Sequence, residues 1–448
     1  MSKPVDASRI PELESVVARA LAAAGAAGAT QAEADASLQK GLTVSVRLGE
    51  VETVEYQRDR GLGITVYFGL RKGSASTADL ADQSIADMVA KACAIARHTA
   101  EDDCAGLAEP DLLAREFPDL ELDFPWDIEP DAAVALARDC EAEGRAVDPR
   151  LANSEGASVA THRGVRVYGN SHGFLAGQAS SSHSVSCALL AQDGDDMQRD
   201  YWYTTARDPA DLEDVRSVGR RAGERAVARL GARRVATGRA PVLFVPEVAR
   251  GLVSHFVGAI RGGSQYRKTT FLLGAAGQQV FPSWVAMHER PYLRKGLASA
   301  AWDSEGVRTR DRELVSGGVL DGYLLGSYSA RKLGLASTGN AGGLHNLIVD
   351  PGPGAPALEE LLRQMGRGLL VTELMGQGVN GVTGDYSRGA TGFWVEGGAI
   401  AYPVHEVTIA GNLRDMYRNL VAIGSDVDLR GGIRVGSVLL ESMTIAGD

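Results

Sequence analysis

The first half of the chain shows the same order of local patterns twice: a helix, then strands, then another helix. In the first pass, residues 11–27 and 84–98 carry apolar side chains at intervals of three and four, which is typical of amphipathic helices. Between them, Gly49-Glu50 and Arg60-Gly61 separate the strand-like runs LTVSVRL, VETVEYQ and LGITVYFGL. Short turns between such runs are typical of an antiparallel meander. This order predicts an α+β unit.

The second pass follows residues 110–130, a segment rich in proline and acidic residues that is interpreted as a linker. Its helices are predicted at residues 131–147 and 212–230. The strand-like runs between them are ASVATH, VRVYG, FLAGQASS, HSVSCALLAQ and MQRDYWYTT. Asp193-Gly194-Asp195 is expected to close a hairpin between the last two runs. The sequence therefore predicts two N-terminal α+β units of similar plan.

The rest of the chain is dominated by short strands and glycine turns, after a strand at residues 239–245 and a helix at 247–260. Near its end, the runs ATGFWVE and AIAYPVHEVTI flank Gly397-Gly398, which predicts a tight hairpin, and Arg388-Gly389 is interpreted as a further turn. Helices do not alternate regularly with strands, so a doubly wound fold is not expected. We expect an α+β protein whose larger, β-rich C-terminal domain has a curved or barrel-like antiparallel sheet. The expected domains are residues 1–120, 121–236 and 237–448.

Composition and charge argue against some classes of function. The 448 residues carry 46 lysine and arginine side chains against 57 aspartate and glutamate side chains, a formal net charge of −11. This balance disfavours non-specific nucleic-acid binding, and the arginine-rich residues 216–234 are interpreted as a solvated helix face. The four scattered cysteines form no CxxC pair, and no apolar run approaches the ~20 residues of a membrane span. We expect a cytoplasmic protein with neither a nucleic acid nor a membrane as partner.

Two glycine motifs suggest chemistry but lack the structural context that the chemistry requires. Residues 376–381 match GxGxxG after a strand-like run, but turn residues follow where a dinucleotide-binding fold needs a helix. Residues 169–173 match GxSxG, yet the following FLAGQASSSHS does not predict the helix of a nucleophile elbow. A β-turn between two strands is the favoured interpretation, and a serine hydrolase that uses Ser171 stays an alternative.

Histidines occur in combinations that could be read as zinc sites. One set is His162, His172, His183 and Cys187. It lacks the short paired spacing of structural zinc sites. Two His-Glu pairs also fail as metalloprotease motifs: His288-Glu289 is followed by a helix-breaking proline, and His405-Glu406 lies in a β-type run without a second histidine at helical spacing. Both pairs are interpreted as surface or strand residues.

Four segments resemble the PmbA/TldD family, and the resemblance extends through essentially the whole chain. They are VTGDYSRGATGFWVEGGAIAYPVHEVTIAGNL, SARKLGLASTGNAGG, VYGNSHGF and VETVEYQRDRGLGITVYFGLRKGSAST, which begin at residues 382, 329, 167 and 51. The chain is most similar to the PmbA (TldE) branch, which is also described as a modulator of DNA gyrase. The resemblance implies a cytoplasmic, two-subunit metallopeptidase that processes or degrades peptides such as microcin precursors and an antitoxin.

The resemblance also points to one helix where the two branches differ. In the TldD branch, the helix after the strand that opens the last domain carries HExxxH, whose histidines and glutamate bind zinc together with a downstream cysteine. The similar helix here reads LVSHFVGAIRGG, with Ser254, His255 and Ala259 at the positions of the first histidine, the glutamate and the last histidine. No cysteine follows Cys187, and a lone histidine does not make a zinc site. We therefore expect no catalytic residue, metal or cofactor in this chain, and zinc on a TldD-like partner.

These expectations combine into one hypothesis of function. The chain is expected to be the non-catalytic subunit that pairs with a TldD-like metallopeptidase subunit and closes a chamber around an unfolded or peptide substrate. Candidate chamber or framework residues are Asp385, Tyr386, Arg388, Glu396 and His405. The resemblance further implies that isolated chains form homodimers through the surface meant for the partner. The alternative is a regulatory or binding protein that acts on a toxin or DNA gyrase pathway without proteolysis.

Overall fold

The structure, a computed structural model, describes residues 5–447. Its first unit is a three-stranded meander between two helices. The elements are α1 (Ile10–Ala26), β1 (Gln31–Arg47), β2 (Glu50–Phe68), β3 (Arg71–Thr77) and α2 (Asp82–His98). An antiparallel meander forms, but its strands are not the three predicted runs: VETVEYQ and LGITVYFGL continue as one strand, β2, and the third strand is β3. The predicted turn at Arg60-Gly61 is therefore wrong. Both residues pair with β1, Gly61 opposite Ser37, so β2 continues through them.

The second unit repeats the order of the first. Its elements are α3 (Pro130–Arg145), β4 (Asn153–Asn170), β5 (Leu175–Asp193), β6 (Asp196–Ala206) and α4 (Val215–Ala228). The hairpin predicted at residues 193–195 is confirmed, because β5 and β6 pair up to Asp193 and Asp196. The helices α3 and α4 approach closely at Gly219, where an added Cβ atom would lie 1.8 Å from the carbonyl oxygen of Cys140.

The strands of both units form one antiparallel sheet, in the order β3-β2-β1-β4-β5-β6. The two units join where β1 pairs with β4 along nearly its whole length. Even-numbered side chains of β1 point to the helices: those from Ala32 to Leu38 pack under α1 and α2, and those from Leu42 to Val46 pack with α3 and α4. The sheet therefore carries two apolar cores side by side on one face, which leaves its other face for the rest of the chain.

The C-terminal domain contains the remaining helices and strands. Its helices are α5 (Pro246–Ala259), α6 (Gly262–Tyr266), α7 (Ser327–Leu333), α8 (Leu358–Met365) and α9 (Leu413–Arg418). Its strands are β7 (Gly238–Phe244), β8 (Ala286–Glu289), β9 (Arg312–Ser316), β10 (Val319–Leu320), β11 (Leu347–Asp350), β12 (Gly368–Met375), β13 (Asp385–Glu396), β14 (Ala399–Asn412), β15 (Leu420–Ile423), β16 (Ile433–Arg434) and β17 (Val438–Ala446). Within residues 5–447, no helix has both the length and the apolar character needed to cross a bilayer.

Five of these strands close into a barrel, which confirms the predicted barrel-like architecture. The order is β14-β13-β12-β7-β17, and β17 pairs back with β14 to complete the ring. Every pairing in the ring is antiparallel except that between β7 and β12. A second sheet, β10-β9-β8-β11-β16, packs with the barrel and α5 around one large apolar core.

The hairpin between β13 and β14 forms at Gly397-Gly398, as predicted. Both glycines have positive φ angles, 60° and 77°, which the tight turns of two-residue hairpins require. The turn predicted at Arg388-Gly389 is wrong, because both residues lie within β13. There Gly389 pairs with Met375 of β12 on one side and Thr408 of β14 on the other.

Candidate functional site

The resemblance described above matches helix α5 to the helix that carries HExxxH in the TldD branch. Helix α5 begins at Pro246, where the missing N–H of proline sacrifices no helical hydrogen bond, and it ends before Ile260. Its apolar side chains recur at helical spacing and face the core of the domain. They are Val248, Ala249, Leu252, Val253, Phe256 and Val257. Because these side chains face the core, only the opposite side of α5 can present polar side chains to other contacts.

The three positions of interest have different surroundings. Ser254 is exposed, His255 is half-buried and Ala259 is only 4% exposed. The carbonyl oxygen of Ala259 accepts hydrogen bonds from Thr270 Oγ1 at 2.8 Å and from Gln265 Nε2 at 2.9 Å. The segment after α5 therefore folds back over the position of the second histidine, and only His255 presents a side chain that could bind a metal.

His255 lies against two residues of β13. The rings of His255 and Tyr386 meet edge to face with centroids 6.1 Å apart. Burial lowers the pKa of His255 from its usual value, and the nearby guanidinium of Arg388 lowers it further. Burial also raises the pKa of Tyr386 to about 12. At neutral pH this cluster therefore holds a neutral imidazole, a neutral phenol and one permanent cation.

These residues do not fit a zinc ion. Zinc in proteins needs three or four converging nitrogen, sulfur or oxygen ligands, and a catalytic site keeps one position open for water. Here one imidazole stands beside Arg388, whose positive charge opposes a bound cation. Among residues 5–447, no group of three or more histidine, cysteine, aspartate or glutamate side chains could hold a metal ion. All four cysteines lie in the two N-terminal units.

The other three predicted framework residues have contacts with neighbours other than His255. They are Asp385, Glu396 and His405. Asp385 begins β13, where hydrogen bonds from Thr383 and Asn412 lower its pKa. Glu396 is at the opposite end of β13 and accepts a hydrogen bond from Trp394 Nε1 at 3.1 Å. His405 lies on β14, and its backbone N–H donates to the carbonyl oxygen of Arg233. The structure thus brings Tyr386 and Arg388 to His255, while the other three contact different neighbours.

The two glycine motifs are loops between strands. The GxSxG motif forms the turn from β4 to β5, as predicted, and Ser171 continues the sheet there. Its N–H donates to the carbonyl oxygen of Ala32, and its Oγ accepts a hydrogen bond from the N–H of Ala32 at 3.0 Å. Residues 376–381 connect β12 to β13 without a helix. Neither motif has the strand–turn–helix geometry that its chemistry requires.

The histidine combinations considered for zinc have other partners. His183 is buried between Thr161 Oγ1 at 2.9 Å and the carbonyl oxygen of Phe124 at 2.8 Å. His288 lies on β8 and its imidazole contacts the carboxylate of Glu313. These are strand residues with local polar contacts, in agreement with their interpretation from the sequence.

A cleft between the N-terminal sheet and the C-terminal domain escaped sequence reasoning. It is open to solvent, has a volume of ≈ 600 Å³, and is lined by residues that include Glu33 and Asp35 of β1 and Glu305 of the C-terminal domain. Glu33 accepts hydrogen bonds from the hydroxyls of Tyr168 at 2.7 Å and Tyr67 at 3.1 Å. Burial raises the pKa of Glu33 above its usual range. In QAEADAS, the alternation of alanine with acidic residues was the available signal that β1 has one polar face.

Asp303 organises the C-terminal wall of this cleft. Its Oδ1 accepts hydrogen bonds from the backbone N–H groups of Glu305 at 2.8 Å and Val307 at 3.0 Å. Its Oδ2 accepts one from the N–H of Ala341 at 2.8 Å. Burial, with the negative charge of Glu305 nearby, raises the pKa of Asp303 to about 7. One carboxyl group therefore holds together two loops that the sequence separates by more than thirty residues.

Comparison with known proteins agrees with this architecture. Three family models match the chain: PmbA/TldA metallopeptidase domain 1 over residues 32–96, the central domain over 123–230 and the C-terminal domain over 237–447. The chain is 53% identical to metalloprotease PmbA of Escherichia coli, over 93% of this chain and 92% of that protein. The chain belongs to the PmbA/TldD family. It is also 50% identical to a PmbA homologue of Haemophilus influenzae, over 98% and 96% of the two chains.

Solved structures and a more distant relative extend the comparison within the family. A candidate modulator of DNA gyrase from Bacteroides thetaiotaomicron superposes with a TM-score of 0.93 at 26% identity, over 98% of this chain and 100% of that one. TldE from Thermococcus kodakarensis shares the fold, with a TM-score of 0.84 at 21% identity over 97% and 99% of the chains. A metalloprotease TldD homologue of Haemophilus influenzae is 24% identical over 49% of this chain and 48% of its own length.

Proposed function

We propose that this chain is the non-catalytic subunit of a cytoplasmic, two-subunit metallopeptidase that processes or degrades peptides. The observation that carries the proposal is the environment of α5. At the three positions of the family's HExxxH motif, the chain has an exposed serine, a half-buried histidine and a buried alanine. The chain keeps the helix of the zinc site but not its ligands.

The electrostatics of the cluster support the same proposal. A zinc-bound water acts as a nucleophile because the metal holds it and lowers its pKa, with a carboxylate nearby as general base. Around His255 the charged neighbour is Arg388, a cation, and the phenol of Tyr386 stays protonated. This arrangement offers neither a zinc ligand set nor a carboxylate beside it to act as the general base on a metal-bound water.

The partner in this proposal is a TldD-like chain that carries the zinc ion. The match to a TldD homologue supports a common architecture for the two subunits, since related chains can pair through related surfaces. In such a complex, this subunit would close a peptide chamber. Extended peptides can pair by main-chain hydrogen bonds with a sheet edge, which tolerates many sequences.

The proposal is tested with three samples: the purified chain, a purified TldD-like chain, and the two combined. Zinc is measured by mass spectrometry of the metal, and cleavage of an unfolded protein is followed by gel. We expect substoichiometric zinc and no cleavage for this chain alone, and both zinc and cleavage for the combination. Changing the glutamate of the partner's HExxxH to glutamine should abolish cleavage, whereas His255→Ala in this chain should leave it intact. One zinc per chain in the isolated protein, lost in His255→Ala, would contradict the proposal.

A second function is favoured by the similarity to candidate modulators of DNA gyrase. In that case the chain would bind a toxin or a gyrase without taking part in proteolysis. Affinity purification from native lysate separates the two functions, because the first requires a TldD-like chain in stoichiometric amount and the second requires gyrase or a toxin without it.

A further inference from the structure

The strand β3 ends the N-terminal sheet and has an unpaired outer edge beside the cleft. In the described chain, β2 is the only strand that pairs with β3. The two-residue turn at 69–70 makes Arg71 a hydrogen-bonded partner of β2. Such pairs alternate along an antiparallel ladder, so Lys72, Ser74 and Ser76 direct their backbone N–H and C=O groups away from β2. No hydrogen bond within residues 5–447 reaches these outward groups, which leaves them open to a further strand.

A row of small residues leads from this edge across the floor of the cleft. Ser76 pairs with Gly63 of β2, and Gly63 pairs with Asp35 of β1. All three residues line the cleft. Because Ser76 and Gly63 have little or no side chain, a long side chain that enters from the edge can lie flat over them.

The carboxylate of Asp35 leans along this row toward the edge. A Cβ atom added at Gly63 would lie 3.0 Å from Asp35 Oδ1, so the carboxylate lies above Gly63. Neighbouring strands are about 4.8 Å apart, which places a strand added beside β3 about 10 Å from Gly63. An extended lysine or arginine side chain spans roughly 6–7 Å, so its charged end would reach this carboxylate.

The charges of the cleft favour a cationic side chain. Its lining has three carboxylates and one guanidinium, that of Arg166. The carboxylates belong to Glu33, Asp35 and Glu305. In the described chain none of the three forms an ion pair, although Glu33 accepts hydrogen bonds from two tyrosines and Glu305 accepts one from a backbone N–H. Lys72, the cation on the cleft side of the edge, lies over a tyrosine ring instead.

We propose that the outer edge of β3 binds an extended peptide segment as an additional strand, and that a lysine or arginine of this segment lies over Ser76 and Gly63 to meet Asp35. Main-chain hydrogen bonds to β3 supply binding that tolerates many sequences, whereas the carboxylates select a cation at one position. This inference rests on the proposed function, because it names the class of peptide that the non-catalytic subunit holds. The binding itself requires neither the partner subunit nor zinc.

Fluorescence anisotropy of short, labelled, unstructured peptides measures binding to the purified chain alone. One peptide has a single central lysine, and a second has acetyl-lysine there, which keeps the length but not the charge. The acetylated peptide should bind at least about tenfold more weakly, because a charge-assisted contact is lost.

A double variant of the cleft tests the same contact from the side of the protein. Asp35→Asn/Glu305→Gln should reduce the affinity for the lysine peptide to that for the acetylated peptide. The matched control is Asp195→Asn/Glu224→Gln, which removes two exposed carboxylates from the second α+β unit and should bind like the wild type.

Main-chain pairing is tested separately from charge. Ser74→Pro removes an outward N–H and places a ring at the edge, while the neighbouring residues keep their hydrogen bonds to β2. This variant should bind both peptides at least about tenfold more weakly, with a circular dichroism spectrum that matches the wild type. The same loss is expected when the wild-type chain is given a lysine peptide with methylated backbone nitrogens, a measurement that leaves the protein unchanged.

Three results would overturn the inference. They are a lysine peptide that does not bind at tens of micromolar chain, equal affinity for the lysine and acetyl-lysine peptides, and undiminished binding of the methylated peptide. None of them bears on the proposed function, which is decided by zinc content and cleavage in the combined sample.

Discussion

Arg229 connects the second α+β unit to the barrel, and its removal should lower stability markedly. It follows α4, and its guanidinium is nearly buried, with 7% of the side chain exposed. Nη1 donates to Asp200 Oδ2 at 3.2 Å and to Glu373 Oε2 at 2.6 Å, and Nη2 donates to Thr391 Oγ1. Since Glu373 lies on β12 and Thr391 on β13, this one side chain bridges the sheet and the barrel.

The expected loss of stability in Arg229→Met depends on the contacts that Asp200 and Glu373 keep without the guanidinium. Asp200 is 5% exposed and keeps two hydrogen bonds, from Arg225 Nε at 3.1 Å and from the N–H of Tyr201 at 2.7 Å. Glu373 is 29% exposed and keeps an ion pair with Arg199 at 3.7 Å. Removing one partner of a buried ion pair costs about 3–5 kcal/mol, and the remaining contacts favour the lower value, so we expect a loss of about 3 kcal/mol. Methionine preserves most of the apolar stem, which limits the effect of lost packing.

Urea unfolding followed by tryptophan fluorescence measures the change in the free energy of unfolding. The matched control is Arg220→Met on α4, because Arg220 pairs with Glu143 at 2.6 Å but the two side chains are 55% and 35% exposed. An exposed pair contributes about 0–1 kcal/mol, so the control should scarcely shift the transition. If Arg229→Met lost no more than the control, the claim that this buried cluster joins the two parts would be refuted.

Three further variants test single features of the structure. Arg388→Gln should raise the pKa of His255, because in the wild-type chain the guanidinium of Arg388 disfavours the protonated imidazole. Nuclear magnetic resonance titration of the imidazole measures this pKa. The pKa of Asp303 is about 7 in the folded chain and ~4 in the unfolded chain, so the folded state binds this proton more tightly. The free energy of unfolding should therefore fall as pH rises between these two values, by at most about 1.4 kcal/mol per pH unit. Asp303→Asn should remove that slope from urea unfolding curves, even though it also lowers stability. Gly219→Ala should destabilise by about 1–3 kcal/mol in the same assay, whereas Gly251→Ala, whose Cβ meets no atom within 4 Å, should be neutral or stabilising.

Local patterns predicted the local structure well. The period of apolar residues placed α5 at residues 247–260, and the structure has it at Pro246–Ala259. The pair Gly397-Gly398 specified its hairpin because positive φ angles are cheap only for glycine. Both signals come from residues that are close together in the sequence, so one sequence is enough to detect them.

Features that depend on distant pairing were missed. Nothing local indicates that β1 pairs with β4, whose partners Glu33 and Asn170 are far apart in sequence. Arg60-Gly61 and Arg388-Gly389 have turn composition, but ladder hydrogen bonds from neighbouring strands hold both in extended backbone. Tertiary pairing overrides turn propensity in such cases. The cleft at Glu33 and the cluster at His255 were hidden for the same reason, since each joins residues from separate elements.

The helix α5 is held in place by packing and hydrogen bonds. Phe256 on this helix packs edge to face with Phe281, with ring centroids 5.1 Å apart, and with Tyr417 at 6.2 Å. Tyr417 in turn donates a hydrogen bond from its hydroxyl to the carbonyl oxygen of Leu252 at 2.9 Å. These contacts lie on the opposite side of the helix from Ser254, which is exposed, so a change at Ser254 leaves the packing face untouched, whereas Ala259 is itself part of the buried face. The fold of a chain does not determine its function, which depends on the side chains that the fold brings together at a site.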